Sequence, residues 1–201
     1  MNKFSHTIIE KILLKFPKFA KKIFNYTSRN QLGRFIKKIK EKNIEIKYVY
    51  DIGANVGEWS SFYKNTSLSH STFYLFEANE SHRKKLEKNN FNFFIGVLSD
   101  KIKTVNFYNN NNSTGDSYFK ESTGNHEDLV AQKITTTTLN NVVSQNNLPY
   151  PDFIKIDVQG AEIDILKGAN NVLENCKLLY LECPVFENFN KNNLNILNYI
   201  N

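Results

Sequence analysis

Asp51, Gly53, Asn55 and Gly57 stand together in the stretch YVYDIGANVGEWS, residues 48–60. An apolar run leads into the acid, and an amphipathic run follows the second glycine. Glycines at such a junction let the backbone turn tightly and approach a ligand closely. In open α/β sheets ligands sit outside the carboxyl ends of the strands, so an acid and a glycine turn at a strand end suit a binding site. The next apolar run, TFYLFEANE, ends in Glu77, 20 residues beyond Gly57. The one after it, FNFFIGVLSD, ends in Ser99 and Asp100. An acid at the second tip can accept hydrogen bonds from both hydroxyls of a ribose, and the third tip would face an adenine.

The turn narrows the choice of ligand. Its two glycines are four residues apart and not in GxGxxG order, whereas a dinucleotide needs bare backbone N–H groups around its pyrophosphate. S-adenosylmethionine has no phosphate. Its methionine end carries an ammonium as well as a carboxylate, which gives Asp51 a partner. The expected cofactor is therefore S-adenosyl-L-methionine, and an NAD-dependent oxidoreductase on the same fold is disfavoured.

A second stretch, PDFIKIDVQGAEIDILKGA at 151–169, puts Asp157 at the carboxyl end of an apolar run, beside the same crevice. A charged residue at that place reads as functional. Gly160 allows a turn, and Glu162 and Asp164 fall in the first turns of the helix that follows. Negative charge there interacts favourably with a helix N-terminus. That accounts for Asp164 and leaves Glu162 a structural alternative to a functional role.

The elements that must position these residues alternate between strands and helices from residue 46 onward. Strands are expected at 46–50, 72–76, 91–98, 133–138, 153–158 and 177–183, with an added strand at 104–108. Helices are expected at 54–63, 81–90 with Ser81 as N-cap, 139–146 and 161–169. Residues 109–126 are rich in Asn, Ser and Gly and read as a loop. Such alternation predicts an α/β fold, a doubly wound parallel sheet with helices on both faces.

The segments DIGANVG (51–57), FYLFEAN (73–79), GVLSD (96–100) and above all FIKIDVQGAEIDILKGA (153–169) resemble the FkbM family of S-adenosylmethionine-dependent methyltransferases. TTTLNNVV (136–143) and LLYLEC (178–183) occupy the positions of two further family segments, with Asn140 where the family carries Asp. The resemblance spans residues 46–186. It implies a Rossmann-like class I methyltransferase sheet and O-methylation of a hydroxyl, often on a sugar, a glycan or a secondary metabolite. It carries Asp51, Gly53, Asn55, Gly57, Glu77, Ser99 and Asp100 over as cofactor positions, and Asp157, Glu162 and Glu182 as positions around the acceptor. A base is needed to take the hydroxyl proton: Asp157 is the first choice, Glu182 the second, and His126 in the Asn-rich loop the third. Asp157 and Glu182 sharing a divalent ion is a metal-assisted variant, but no clear ligand cluster supports it, so no metal is expected. The loop at 109–128, with Ser113, Ser117 and Tyr118, is expected over the acceptor. Residues 187–201 read as helical and too short for the hairpin that completes a seven-stranded sheet, so the fold is abbreviated or the sequence is a piece of a longer one.

Composition bounds the remaining classes. Residues 1–47 hold 13 Lys/Arg against 3 Asp/Glu, while the rest holds 13 against 17. The basicity thus belongs to an N-terminal arm, residues 1–45, and the body at 46–201 is mildly acidic, which argues against nucleic-acid binding by the body. The arm reads as amphipathic helices at 5–24 and 30–42. Packing on the body is the first reading, contact with anionic lipid at a membrane surface the second, and a nucleic-acid arm the third. No apolar run approaches the roughly 20 residues of a membrane span, and lysines interrupt any signal-peptide core. Cys176 and Cys183 lie outside zinc-ligand spacing and read as ordinary thiols. A cytoplasmic protein is expected, with peripheral membrane contact through the arm. A catalytically silent scaffold or membrane-associated partner is the alternative reading.

Overall fold

The computed structural model describes residues 30–108, 117 and 131–182. Two compact units divide the chain, residues 1–45 and 46–201. In the first, residues 30–41 are helical, with Leu32, Ile36 and Ile39 buried and Arg34, Lys37 and Lys38 exposed. The helix expected at 5–24 lies outside the described residues, as do His126 and the segment 187–201.

The second unit is built on five parallel strands: β1 (Tyr48–Ile52), β2 (Thr72–Glu77), β3 (Asn92–Ile95), β6 (Phe153–Ile156) and β7 (Leu178–Leu181). They lie in the order β3-β2-β1-β6-β7. Asp51 pairs in register with Leu75 on one side and with Lys155 on the other. The strand order reverses between β1 and β6, and their carboxyl ends form the switch point where such sheets bind ligands.

Both faces are covered, as the α/β reading requires. Tyr50, Ile52, Phe76, Ile154 and Ile156 pack on one face against α3 (Leu139–Gln145), α4 (Glu162–Lys167) and α5 (Asn170–Glu174). Each Ile or Leu fully withdrawn from water there contributes about 1.5–3 kcal/mol. The opposite face meets α1 (Glu58–Lys64) and α2 (Arg83–Lys88). Trp59 of α1 packs against Tyr63 with the rings tilted, 4.6 Å apart, and meets the Phe153 ring edge-on at 6.0 Å. Strands buried on both faces should read as continuous apolar runs, and Asp51 and Lys155, both buried, depart from that rule.

Several local expectations shift. The helix after β1 starts at Glu58 and not at residue 54, because Asn55 (φ 52°) and Gly57 (φ 80°) take left-handed backbone conformations that a helix cannot include. Asn79, not Ser81, caps the next helical segment: its side chain accepts from the Ser81 N–H at 2.9 Å, and a 3-10 turn at Glu80–His82 precedes α2. β4 (Thr104–Tyr108) and β5 (Ala131–Thr135) leave the main sheet and pair antiparallel in a two-stranded sheet of their own. Gly168 ends α4, and a separate short helix, α5, follows. A Cβ on Gly168 would fall 2.1 Å from the Ser99 carbonyl oxygen.

Candidate active site

A cleft opens at the carboxyl ends of β1, β2 and β6. Its cavity volume is about 150 Å³, and it opens to solvent at its mouth. Its walls come from Phe76, Val97, Leu98, Phe107 and Ile165. Its polar lining comes from Asn55, Glu77, His82, Asp157, Gln159 and Ser117.

The turn after β1 is locked by its own hydrogen bonds. Gly53 N–H and Ala54 N–H both donate to Phe76 O, at 2.9 and 3.1 Å, and Gly57 N–H donates to Ala54 O at 2.8 Å. Asn55 N–H donates to Glu77 Oε2 at 2.6 Å, and Asn79 N–H to Glu77 Oε1 at 2.8 Å. His82 Nδ1 stands 3.4 Å from the same Oε1. A carboxylate offers about four lone-pair sites, so Glu77 keeps acceptor capacity toward the cleft.

Asp51 is fully buried. Ser60 Oγ donates to its Oδ2 at 2.6 Å, and Lys155 Nζ stands 3.0 Å from Oδ1 as an ion pair. The expected partner of Asp51 was a ligand's ammonium; the structure gives it Lys155, and Asp51 is not part of the cleft lining. Lys155 also donates to Gly53 O at 3.3 Å and lies 3.5 Å from Asp157 Oδ2. Burial works against its charge, but Asp51 and then Asp157 more than offset this and raise its pKa. This lysine was missed in the sequence; the signal was a charged residue inside the apolar run FIKI.

The acceptor-side candidates take different places. Asp157 lines the cleft, and its Oδ1 accepts from Gln159 Nε2 at 3.2 Å. Glu162 is buried and does not reach the cleft surface. It accepts from Gly160 N–H at 3.1 and 3.0 Å and from Val158 N–H at 3.4 Å, clamping the loop that presents Asp157. Burial raises its pKa, the backbone N–H groups oppose this, and the Asp157 charge adds to the rise. Glu182 follows β7, its N–H on Ile156 O at 3.0 Å. Desolvation and the Asp157 charge raise its pKa against Lys155. Ser117, buried, donates from Oγ to Gln159 O at 2.9 Å; Ser113 and Tyr118 lie outside the described residues.

Of the expected cofactor residues, Gly53, Asn55 and Glu77 line the cleft, whereas Asp51, Gly57, Ser99 and Asp100 do not. Ser99 is buried and donates to Asp100 Oδ1 at 3.0 Å. Asp100 pairs with Lys103 at 2.6 Å, and Lys103 also reaches Asp164 at 3.1 Å. Burial raises the Asp100 pKa, but hydrogen bonds from Lys103 and Ser99 bring it below the usual range. Gly96, Val97 and Leu98 line the cleft in their place. Asn140 joins α3 to α5, its Oδ1 accepting from Val172 N–H at 3.3 Å. Among the described residues, no group of three or more His, Cys, Asp or Glu is gathered to hold a metal ion.

Residues 51–201 match the family described as methyltransferase FkbM domain. The hexuronic acid methyltransferase AglP of Haloferax volcanii is 24% identical over 153 residues, 73% of this chain and 60% of that protein. The chain thus spans about three-fifths of the length of this curated relative. The crystal structure of the FkbM methyltransferase from Methylobacillus flagellatus superposes with a TM-score of 0.50 at 19% identity, over 78% of this chain and 36% of that one. That likeness concerns the fold.

Proposed function

As the chain belongs to the FkbM methyltransferase domain family, we propose that it is an S-adenosylmethionine-dependent O-methyltransferase whose acceptor is a hydroxyl of a sugar or glycan. One observation carries the choice of cofactor. The N–H groups of Gly53, Ala54, Asn55 and Gly57 are all engaged within the protein, which leaves this turn poorly suited to a pyrophosphate, while Glu77 faces the cleft with acceptor capacity to spare. The residues fit the proposed cofactor. Glu77 would hold the ribose hydroxyls, Phe76, Val97 and Leu98 would flank the base, and the 53–55 turn would meet the methionine end.

When bound, S-adenosylmethionine supplies an electrophilic methyl group. The chain's own residues do the rest. Asp157, at the cleft wall, orients the acceptor hydroxyl and takes its proton. Glu162 fixes the 157–160 loop, so that the carboxylate stays in near-attack geometry. The sugar acceptor is supported by the named substrate class of the Haloferax volcanii relative and by the polar lining from Ser117 and Gln159. Exposed Arg34, Lys37, Lys38, Lys40 and Lys42 support a peripheral role at the inner membrane face. Binding to anionic vesicles that is unchanged by removal of residues 1–45 would remove that part.

The test is calorimetric titration with S-adenosylmethionine, with NAD as control, followed by a screen of neutral hexosides and hexuronides for methyl transfer. Micromolar binding of the first ligand alone supports the proposal. Binding of NAD alone, or of neither, overturns it.

A further inference from the structure

Lys155 sits inside the sheet, 3% exposed, and the reaction described above does not use it. Burying an ion pair such as Lys155 with Asp51 carries a large desolvation penalty, and apolar side chains of similar volume in place of both are often as stable or more so. Fold stability therefore does not explain the pair. The lysine's contacts point elsewhere. Its one nitrogen reaches Asp51 of β1, Gly53 of the turn that follows, and Asp157 after the end of β6. Asp51 is held in turn by Ser60 of α1, and Asp157 by Gln159. The ammonium also stands 5.8 Å from the centre of the Trp59 ring. Three separate segments thus meet at one atom: the cofactor-side turn, the first turn of α1 and the acceptor-side loop.

We propose that Lys155 is a positioning residue for methyl transfer: its ammonium holds the cofactor-side turn and the carboxylate of Asp157 at a fixed separation without touching either ligand. This rests on the methyltransferase reading above. Two reactants held in near-attack geometry are sensitive to displacement, and a misplacement of about 1 Å costs on the order of 10²-fold in rate. Neighbouring charge adds to the need for the tie. Asp51, Asp157 and Glu182 are three carboxylates around this one cation, and Glu162 lies behind Asp157. Without Lys155 the carboxylates repel, and the turn and the loop move apart.

The experiment compares wild type, Asp51→Asn, Lys155→Met and the double variant Asp51→Asn/Lys155→Met. Lys155→Met alone leaves Asp51 buried without a counter-charge and is expected to fold poorly; the double variant removes both charges and is expected to fold. The readouts are calorimetric affinity for S-adenosylhomocysteine and amide hydrogen exchange. Relative to Asp51→Asn, the double variant is expected to lose about tenfold in affinity. Its Asp157–Gly160 amides should exchange about tenfold faster, with β2 and α3 unchanged. With a sugar acceptor from the screen above, kcat should fall about 10²-fold while the acceptor KM stays within about threefold. A double variant that matches Asp51→Asn in affinity and exchange overturns the proposal, because Lys155 then does no more than neutralise Asp51. Wild type that binds no S-adenosylhomocysteine overturns the cofactor reading and this proposal together, so the two failures are distinguishable.

Discussion

A Cβ placed on Gly53 would fall 1.8 Å from the carbonyl oxygen of Asp157. The glycine that opens the cofactor turn is thus required first by the end of β6, which passes against it, and only then by a ligand. Its φ of 76° adds a backbone conformation that side chains rarely adopt. Gly53→Ala should therefore destabilise the body by more than about 3 kcal/mol, the sum expected of overpacking and strain. Gly33, with nothing within 4 Å of its Cβ position, is the control: Gly33→Ala should be neutral or stabilising by up to about 1 kcal/mol. Urea unfolding of the two variants checks this, and equal midpoints would refute it.

Glu162 has a carboxyl whose pKa is raised in the folded state, first by burial. Between its unfolded and folded values the native protein keeps a proton that the unfolded chain has lost. Stability therefore falls as pH rises through that window, by about 1.4 kcal/mol per pH unit at most. The penalty is absent below the ordinary glutamate value of 4.5 and complete above the raised one. Glu162→Gln cannot ionise and should lack this slope. Unfolding free energies of the two proteins, taken across mildly acidic to neutral pH, should diverge to the wild type's disadvantage. Parallel curves would show that the burial of Glu162 is not felt.

Glu77 ends β2 and Asp100 follows β3, yet of the two only Glu77 lines the cleft. Glu77→Gln keeps the shape of the side chain but loses an acceptor for either Asn55 or Asn79 and weakens the grip on a ribose. Affinity for S-adenosylmethionine should fall at least tenfold. Asp100→Asn only loosens the tie to Lys103, and affinity should change less than about threefold. Calorimetry on the pair decides the matter. A larger loss at Asp100 would mean that this carboxylate turns into the cleft when ligand binds, as the family resemblance implies.

These contrasts mark how far the sequence could be read. The alternation of apolar runs with amphipathic ones identified every strand of the main sheet, because β1, β2 and β6 are largely buried and the half-exposed edge strands β3 and β7 are still mostly apolar. Asp51, Glu77 and Asp157 stood out as acids ending or following those runs. Periodicity could not show that β4 and β5 pair with each other, since pairing is a long-range property and their half-exposed residues fit either sheet. It could not separate Asn79 from Ser81 as a cap, as both types suit the place. The direction of Asp100 depends on Lys103 and Asp164, the latter 61 residues from that lysine, and no local pattern records that. Lys155 hid within a strand whose other residues explained it.

The choice of base turns on two neighbouring carboxylates. Asp157 lines the cleft, flanked by Lys155 and Gln159. Glu182 has its pKa raised by desolvation and by the Asp157 charge itself. Asp157 is the one of the two that faces the cleft, so it is the one placed to meet an acceptor hydroxyl and take its proton. Asp157→Asn should keep S-adenosylhomocysteine affinity within about threefold and lose about 10²- to 10⁴-fold in kcat. Glu182→Gln should lose less than about tenfold. Single-turnover methyl transfer to the sugar found in the acceptor screen measures both. Normal turnover by Asp157→Asn, with a deep loss in Glu182→Gln, would move the base to the end of β7.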